Sequence, residues 1–132
     1  MDTIGQFYLK KRIYYHDTDA GGVVYYGAYL KHLEEARAEF LRSKGVSMEE
    51  YANKGFLFPI VRLEIDYKSP ARYGDEISVF CRLEKTGNAS FEFAQEIKRG
   101  EVLILKARMV SACVDNKLKP VRIPEEIRKN IG

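Results

Sequence analysis

The chain has little of what a cross-linked, secreted or membrane-embedded protein needs. Its 132 residues include only two cysteines and no tryptophan, and no apolar run approaches the ~20 residues of a membrane-spanning helix. Cys81 and Cys113 lie in apolar strand patterns without C-x-x-C or metal-ligand spacing, which predicts reduced, packed thiols. The N-terminus shows no basic segment followed by a long apolar run, so no secretory signal is predicted and we expect a cytoplasmic protein.

The chain also lacks a large excess of positive or negative charge. The net charge is only +3, with acids and bases mixed along the chain, whereas nucleic-acid binding needs clustered Lys and Arg. No P-loop, dinucleotide fingerprint, G-x-S-x-G or H-E-x-x-H motif is present. We therefore predict no nucleic-acid partner, no metal and no cofactor, although the small positive excess would help an anionic substrate to dock.

What is present is the pattern of one α+β domain spanning residues 1–132. A strand-like segment from Phe7 to Tyr15 precedes a helical period from Tyr26 to about Lys44, and Gly45 supplies the stop. Ser47-x-x-Glu50 predicts the cap of a short second helix. Period-two alternation then predicts four strands in a meander, within residues 61–67, 77–83, 91–98 and 102–114, and Pro124 opens a possible terminal helix.

One long amphipathic helix beside an antiparallel sheet predicts that the sheet curls around the helix to cover its apolar stripe. The last strand is apolar on much of both faces. This suggests that a second subunit covers part of the sheet, and hence a homo-oligomer.

The segment from Tyr14 to Tyr29 (YYHDTDAGGVVYYGAY) is the candidate chemical site. It places two aspartates and two glycines just before a long helix, whose N-terminus carries unpaired N–H groups and about half a positive charge. Such a terminus could polarise a carbonyl while a nearby carboxylate attacks it or deprotonates water. Aspartates before a helix are more often caps than catalysts, so spacing alone leaves both interpretations open.

The string from Tyr15 to Tyr25 (YHDTDAGGVVY) closely resembles the hotdog-fold acyl-CoA thioesterases of the 4-hydroxybenzoyl-CoA thioesterase type. Within them it is most similar to the branch associated with the Tol–Pal envelope system. Tyr29, Glu35-Ala36-Arg37, Phe58-Pro59-Ile60-Val61 and the later segments Asp66-Tyr67, Ser69-Pro70-Ala71 and Gly74-Asp75 match further landmarks in order. The resemblance implies a hotdog fold and hydrolysis of an acyl-CoA thioester.

The resemblance also implies roles for single residues. Asp19 falls at the family's catalytic carboxylate and the N–H of Tyr26 at its oxyanion donor, with Asp17 as a structural acid. The implied substrate-binding positions are Tyr26, Gly27, Tyr29, Pro59 and Ile60. The implied assembly is a dimer or tetramer with the active site between subunits. Benzoyl-specific members carry Cys and Pro where this chain has Thr18 and Ala20, which favours an aliphatic acyl group.

Other residues receive weaker assignments. His16 is a less favoured general base, and His32 falls among polar helix positions, which predicts a solvated side chain. The candidates for the phosphates of coenzyme A, which sequence cannot rank, are Arg62, Lys68, Arg72, Lys85 and Arg108. Two rival functions stay open. The first is a hotdog hydratase or dehydratase, and the second is a non-catalytic module that binds acyl thioesters or acyl-carrier protein and recruits partners at the inner membrane. A membrane-associated partner is therefore also possible.

Overall fold

The computed structural model describes residues 7–131 and has a long helix, two short helices and a five-stranded sheet. In chain order the elements are β1 (Phe7–Arg12), a 3-10 turn (Tyr15–Asp17), α1 (Tyr26–Ser43), α2 (Met48–Asn53), β2 (Ile60–Tyr67), β3 (Glu76–Thr86), β4 (Ser90–Arg99), β5 (Val102–Ala112) and α3 (Glu125–Ile131). The α+β prediction is confirmed. The first strand ends earlier than predicted, because the chain turns into the 3-10 segment at Tyr15.

The strands form one antiparallel sheet in the order β1-β3-β4-β5-β2. Strands β3, β4 and β5 make the predicted meander, but β2 does not pair with β3. It crosses to the far edge and pairs with β5, with Leu63 opposite Met109 and Tyr67 opposite Leu105. The meander prediction is therefore wrong for β2, since alternation fixes which face a strand buries and not which neighbour it takes.

The core lies between α1 and the sheet. The buried face of α1 carries Ala28, Leu33 and Phe40, and Phe40 packs edge-to-face on Phe93 of β4 with ring centroids 6.1 Å apart. Burying each large apolar side chain contributes about 1.5–3 kcal/mol. The sheet therefore holds α1, and with it the segment that precedes α1, in a fixed position.

The predicted end of α1 and the predicted start of α2 are both confirmed. Gly45 adopts φ +80°, a conformation that favours glycine, and its N–H donates to the carbonyl of Arg42. The hydroxyl of Ser47 accepts the N–H of Glu50 at 3.3 Å and so caps α2. Across this turn, Arg42 of α1 pairs with Glu49 of α2 at 3.3 Å.

Exposed apolar side chains lie at both ends of β2, whereas the last strand exposes Val102 at its first residue and buries most of its other apolar side chains. Ile104 and Leu105 of β5 are fully buried within the chain itself, so this strand does not support the predicted interface. Ile60 and Val61 at the start of β2, and Tyr67 at its end, are about half exposed or more. Strand β2 is also an edge of the sheet. Within residues 7–131, no helix has the length and apolar character needed to span a membrane.

Candidate active site

The two aspartates lie at the entrance to a tight hairpin that leads into α1. Thr18 and Val24 form an antiparallel bridge, and the N–H of Asp19 donates to the carbonyl of Val23 at 2.9 Å. Gly22 closes the turn with φ +79°, which side chains other than glycine rarely adopt. Gly22 is therefore needed for the turn that presents Asp19.

The Asp19 carboxylate is exposed and oriented by the turn. Its Oδ1 accepts the N–H of Gly21 at 2.9 Å, an Asx turn that fixes the side-chain direction. Among the described residues, no donor binds the second oxygen, Oδ2. One oxygen is thus held while the other is available to a substrate carbonyl or a water molecule.

The start of α1 is open. The N-cap residue Tyr25 makes no side-chain capping bond, and the first turn holds no acidic residue. Among residues 7–131, no acceptor binds the N–H groups of Tyr26 and Gly27. A Cβ at Gly27 would lie 3.3 Å from the Tyr25 ring, so glycine lets this ring pack closely against the helix start. The two free donors and the positive end of the helix dipole can stabilise an anionic oxygen.

The segment between β2 and β3 holds the hairpin in place. The N–H of Val24 donates to the carbonyl of Ala71 at 2.9 Å, and the N–H of Tyr73 donates to the carbonyl of Gly22 at 3.1 Å. The hydroxyl of Tyr29, buried beneath, accepts the N–H of Ala71 at 3.1 Å. Burial raises the pKa of Tyr29, so its hydroxyl stays protonated at neutral pH. The contact that Tyr29 makes within this chain is structural, and its substrate contact stays a prediction.

Asp17 is buried on the other side of the hairpin. Only 1% of its surface is exposed, and its Oδ2 accepts the N–H of Tyr14 at 3.0 Å. Its backbone carbonyl accepts the N–H of Tyr25, the residue that precedes α1. The expectation that Asp17 is a structural capping residue is confirmed.

The predicted solvation of His32 is wrong. His32 is 5% exposed, and its Nε2 lies 3.3 Å from Oδ1 of Asp17. Burial lowers the pKa of His32, although the neighbouring Asp17 opposes this. The polar positions of α1 predicted exposure wrongly at His32, because the 3-10 turn lies over this side chain. Helical periodicity does not reveal such irregular structure.

A second buried polar group on α1 is Arg37, for which the sequence suggested no role. Its guanidinium donates to the side chain of Gln95 on β4 at 2.9 Å, and Gln95 donates in turn to the carbonyl of Leu33 at 3.0 Å. Desolvation lowers the pKa of Arg37 from its ordinary high value. The string Glu35-Ala36-Arg37 could have indicated this contact, because an arginine on the apolar stripe of a helix needs a buried partner.

Pro59 and Ile60 lie away from Asp19 within one chain. The ring of Tyr67 at the end of β2 packs on Tyr26, with centroids 5.0 Å apart. A strand rises about 3.3 Å per residue, so Ile60 at the opposite end of β2 lies roughly 20 Å from Tyr67. Ile60 instead lines a largely apolar groove of about 810 Å³ between the helices and β2, which Leu30 of α1 also lines.

The candidate phosphate-binding residues fall into two sets. Arg62 and Arg108 are on the sheet face opposite α1, paired with Glu64 at 2.6 Å and with Glu92 at 3.0 Å. Arg72 instead bridges Val23 of the hairpin through its backbone. The fold therefore brings the backbone of Arg72 next to the candidate catalytic segment. Across residues 7–131, no group of three or more His, Cys, Asp or Glu side chains is placed to ligate a metal ion.

Comparison with known proteins defines the class. Residues 14–131 match the model of the thioesterase-like superfamily. The acyl-CoA thioesterase YbgC of Haemophilus influenzae is 37% identical over 124 residues, which cover 92% of this chain and 91% of that relative. The chain belongs to the thioesterase-like superfamily.

Solved structures agree with this membership. A hypothetical protein from Aquifex aeolicus has a TM-score of 0.90 at 31% identity, covering 96% of this chain and 100% of that one. A 1,4-dihydroxy-2-naphthoyl-CoA thioesterase from Synechocystis has a TM-score of 0.88 at 27% identity, covering 96% of each chain. The predicted hotdog fold is confirmed.

Proposed function

We propose that this chain hydrolyses acyl-CoA to a free acid and coenzyme A, with Asp19 as the catalytic carboxylate. The observation that carries the proposal is the pairing of a held, exposed carboxylate with an uncapped helix start. Asp19 keeps one oxygen available, and Tyr26 and Gly27 offer N–H groups that no described residue accepts. The thioesterase-like family and the acyl-CoA thioesterase among its relatives support this reaction.

In the proposed reaction the thioester oxygen accepts the N–H of Tyr26, and negative charge develops on that oxygen in the transition state. In one route Asp19 Oδ2 attacks the carbonyl carbon, the C–S bond breaks to release the coenzyme A thiolate, and water hydrolyses the resulting mixed anhydride. In the other route Asp19 takes a proton from a water molecule that attacks the same carbon, the C–S bond breaks, and the proton passes to the leaving thiolate. Both routes give the acid and the thiol. One oxyanion donor is typically worth about 3–4 kcal/mol in the transition state.

We also propose that the active unit is a homo-oligomer built through β2. Antiparallel pairing of two β2 edges would place the start of one strand beside the end of the other. It would thereby bring Pro59 and Ile60 of one chain towards Tyr26 of the second, which a single chain does not do. The exposed apolar residues Ile60 and Val61 on this edge support the pairing, since an exposed apolar strand edge invites association.

The proposed acyl group is aliphatic. The groove of about 810 Å³ includes Leu30, one turn after Tyr26, and Phe58 and Leu63 further along. Thr18 and Ala20 stand where benzoyl-specific relatives carry Cys and Pro. The alternative, an aromatic acyl group, is supported by the Synechocystis thioesterase, whose name specifies a naphthoyl substrate.

We further propose that this single domain belongs to the Tol–Pal-associated branch and acts in the cytoplasm. The motif from Tyr15 to Tyr25, which resembles that branch, supports the assignment. In that setting, an acyl-carrier protein could present the thioester in place of free coenzyme A, and a membrane-associated protein could recruit the enzyme.

The test is release of free thiol from purified protein across acyl-CoA chain lengths, beside 4-hydroxybenzoyl-CoA. We expect steady turnover, with higher kcat/KM on aliphatic substrates. Tight binding of acyl-CoA without thiol release would favour the binding module instead. Higher efficiency on the aromatic substrate would replace the acyl assignment and leave the hydrolase assignment intact.

A further inference from the structure

The buried pair Asp17–His32 lies directly behind the catalytic hairpin and takes no part in the chemistry described above. Both side chains are more than nine-tenths buried. Oδ1 of Asp17 and both ring nitrogens of His32 have no hydrogen-bond partner among the described residues. Nε2 of His32 lies 3.3 Å from Oδ1 of Asp17, which is closer than the approach of His16 or Lys31 to that oxygen.

Charged groups surround the pair from three elements. From the 3-10 turn, His16 Nε2 lies 3.8 Å from Asp17 Oδ1, and from α1, Lys31 Nζ lies at the same distance. Glu35 on α1 lies 3.9 Å from Nδ1 of His32 and is itself paired with Lys11 on β1. His16 and Lys31 are largely exposed, so water screens them, whereas the His32 contact is shielded from water.

Asp17 is the point at which three parts of the site meet. Its Oδ2 receives the N–H of Tyr14, its backbone carbonyl receives the N–H of Tyr25, and its Oδ1 faces His32 on the second turn of α1. Asp19 is two residues further along the same chain. The position of Asp19 relative to the helix start therefore depends on where the Asp17 side chain is held.

From this geometry we infer that His32 is a positioning residue: its Nε2, 3.3 Å from Oδ1 of Asp17, donates to that unpaired oxygen after a small rotation of the ring, and the held Asp17 sets Asp19 against the open start of α1. The inference rests on the proposed function, because it concerns the placement of the proposed catalytic carboxylate. A misplacement of about 1 Å at a reacting group can cost on the order of 10²-fold in rate. A single lost contact behind the hairpin therefore affects turnover more than substrate binding.

The test compares two amide substitutions at position 32. His32→Gln places its amide nitrogen near the Nε2 position and can still reach Asp17. His32→Asn is shorter by one carbon, places its amide near the Nδ1 position and cannot. We expect His32→Gln to retain kcat within about twofold and His32→Asn to lose about tenfold in kcat, with KM nearly unchanged in both.

The matched control is Lys31→Gln, which alters a half-exposed ammonium group 3.8 Å from the same Asp17 oxygen. It should leave kcat and KM unchanged. His32→Leu fills the volume without a donor and is expected to behave like His32→Asn. It therefore keeps the test informative if the asparagine variant does not fold.

The pH dependence of the free energy of unfolding tests whether the His32 imidazole is buried and neutral in the folded protein. Because the pKa of His32 is lowered on folding, the unfolded chain binds a proton that the folded chain does not. The stability that the protein has with a neutral, buried His32 is fully present above the unfolded pKa of about 6.5. It is lost as the pH falls towards the lower pKa of the folded state. Wild type should therefore lose more stability than His32→Gln between about pH 6.5 and pH 5.

The outcomes separate this inference from the proposed function. Equal kcat for His32→Gln and His32→Asn, with both proteins folded, would overturn the positioning role even if wild type is a good thioesterase. So would a loss confined to KM. Failure of wild type to release thiol, or full activity in Asp19→Asn, would instead reject the proposed function.

Discussion

The two helices that follow one another after the hairpin begin in opposite ways. Helix α2 starts at Ser47, whose hydroxyl accepts the N–H of Glu50, and its first turn carries Glu49 and Glu50. Helix α1 starts at Tyr25, which offers no side-chain cap, and its first turn carries no acid. The shorter helix thus has the more complete N-terminus.

The difference indicates what each helix start is for. A cap typically contributes about 1 kcal/mol, and acids in the first turn add a favourable interaction with the helix dipole. Helix α1 forgoes both, and its burial against the sheet maintains it. An uncapped, exposed terminus next to a held carboxylate is what stabilisation of an oxyanion requires, so the missing cap is consistent with the proposed chemistry.

The largest expected effect comes from removing the charge beside the open start. Asp19→Asn keeps the size of the side chain and an oxygen that can accept the N–H of Gly21. It removes the nucleophile or base. We expect turnover of a medium-chain acyl-CoA to fall by roughly three orders of magnitude or more, equivalent to about 4 kcal/mol of barrier, with an unchanged melting temperature.

Asp17→Asn is the matched control for that experiment, because it makes the same change two residues away at the buried carboxylate. We expect a loss of about 0.5–2 kcal/mol in stability and at most about tenfold in turnover. If the folded Asp17 variant were inactive and the Asp19 variant active, the catalytic motif would have been assigned in the wrong register.

The smallest expected effect is at the capped helix. Ser47→Ala removes the acceptor for the N–H of Glu50 and should lower the free energy of unfolding by about 1 kcal/mol, measured by urea denaturation. Turnover per folded molecule should not change. Ser43→Ala is a useful comparison, because the Ser43 hydroxyl bonds a helix carbonyl and caps no N-terminus. A drop in kcat for Ser47→Ala would show that α2 also supports the active site.

Local pattern predicted most of the fold. The 3.6-residue period placed α1, Gly45 ended it, and Ser47 began α2, all of which depend on neighbours close in sequence. The pairing of β2 with β5 escaped prediction. A strand's partner is decided by tertiary packing and by the path of its connections, which alternation alone does not encode.

Consecutive residues predicted the local structure of the candidate site, a turn with two aspartates just before α1. The Asx turn at Asp19 and the cap at Asp17 belong to one short string. The buried state of His32 was missed because the carboxylate it faces approaches from a different element. The Arg37–Gln95 bond was missed for the same reason, as it joins residues far apart in the chain.

The central claim is that the open start of α1 donates an N–H to the oxyanion, and Tyr26→Pro tests it most directly. Proline removes that N–H yet is tolerated at the first helical position, and Tyr25 already has the extended conformation, φ −84° and ψ 159°, that a residue before proline adopts. The comparison variant is Tyr26→Ala, which loses the same ring and keeps the N–H. We expect a kcat about 10²–10³-fold lower for the proline variant than for the alanine variant, with similar melting temperatures. Equal turnover in the two folded variants would contradict the central claim.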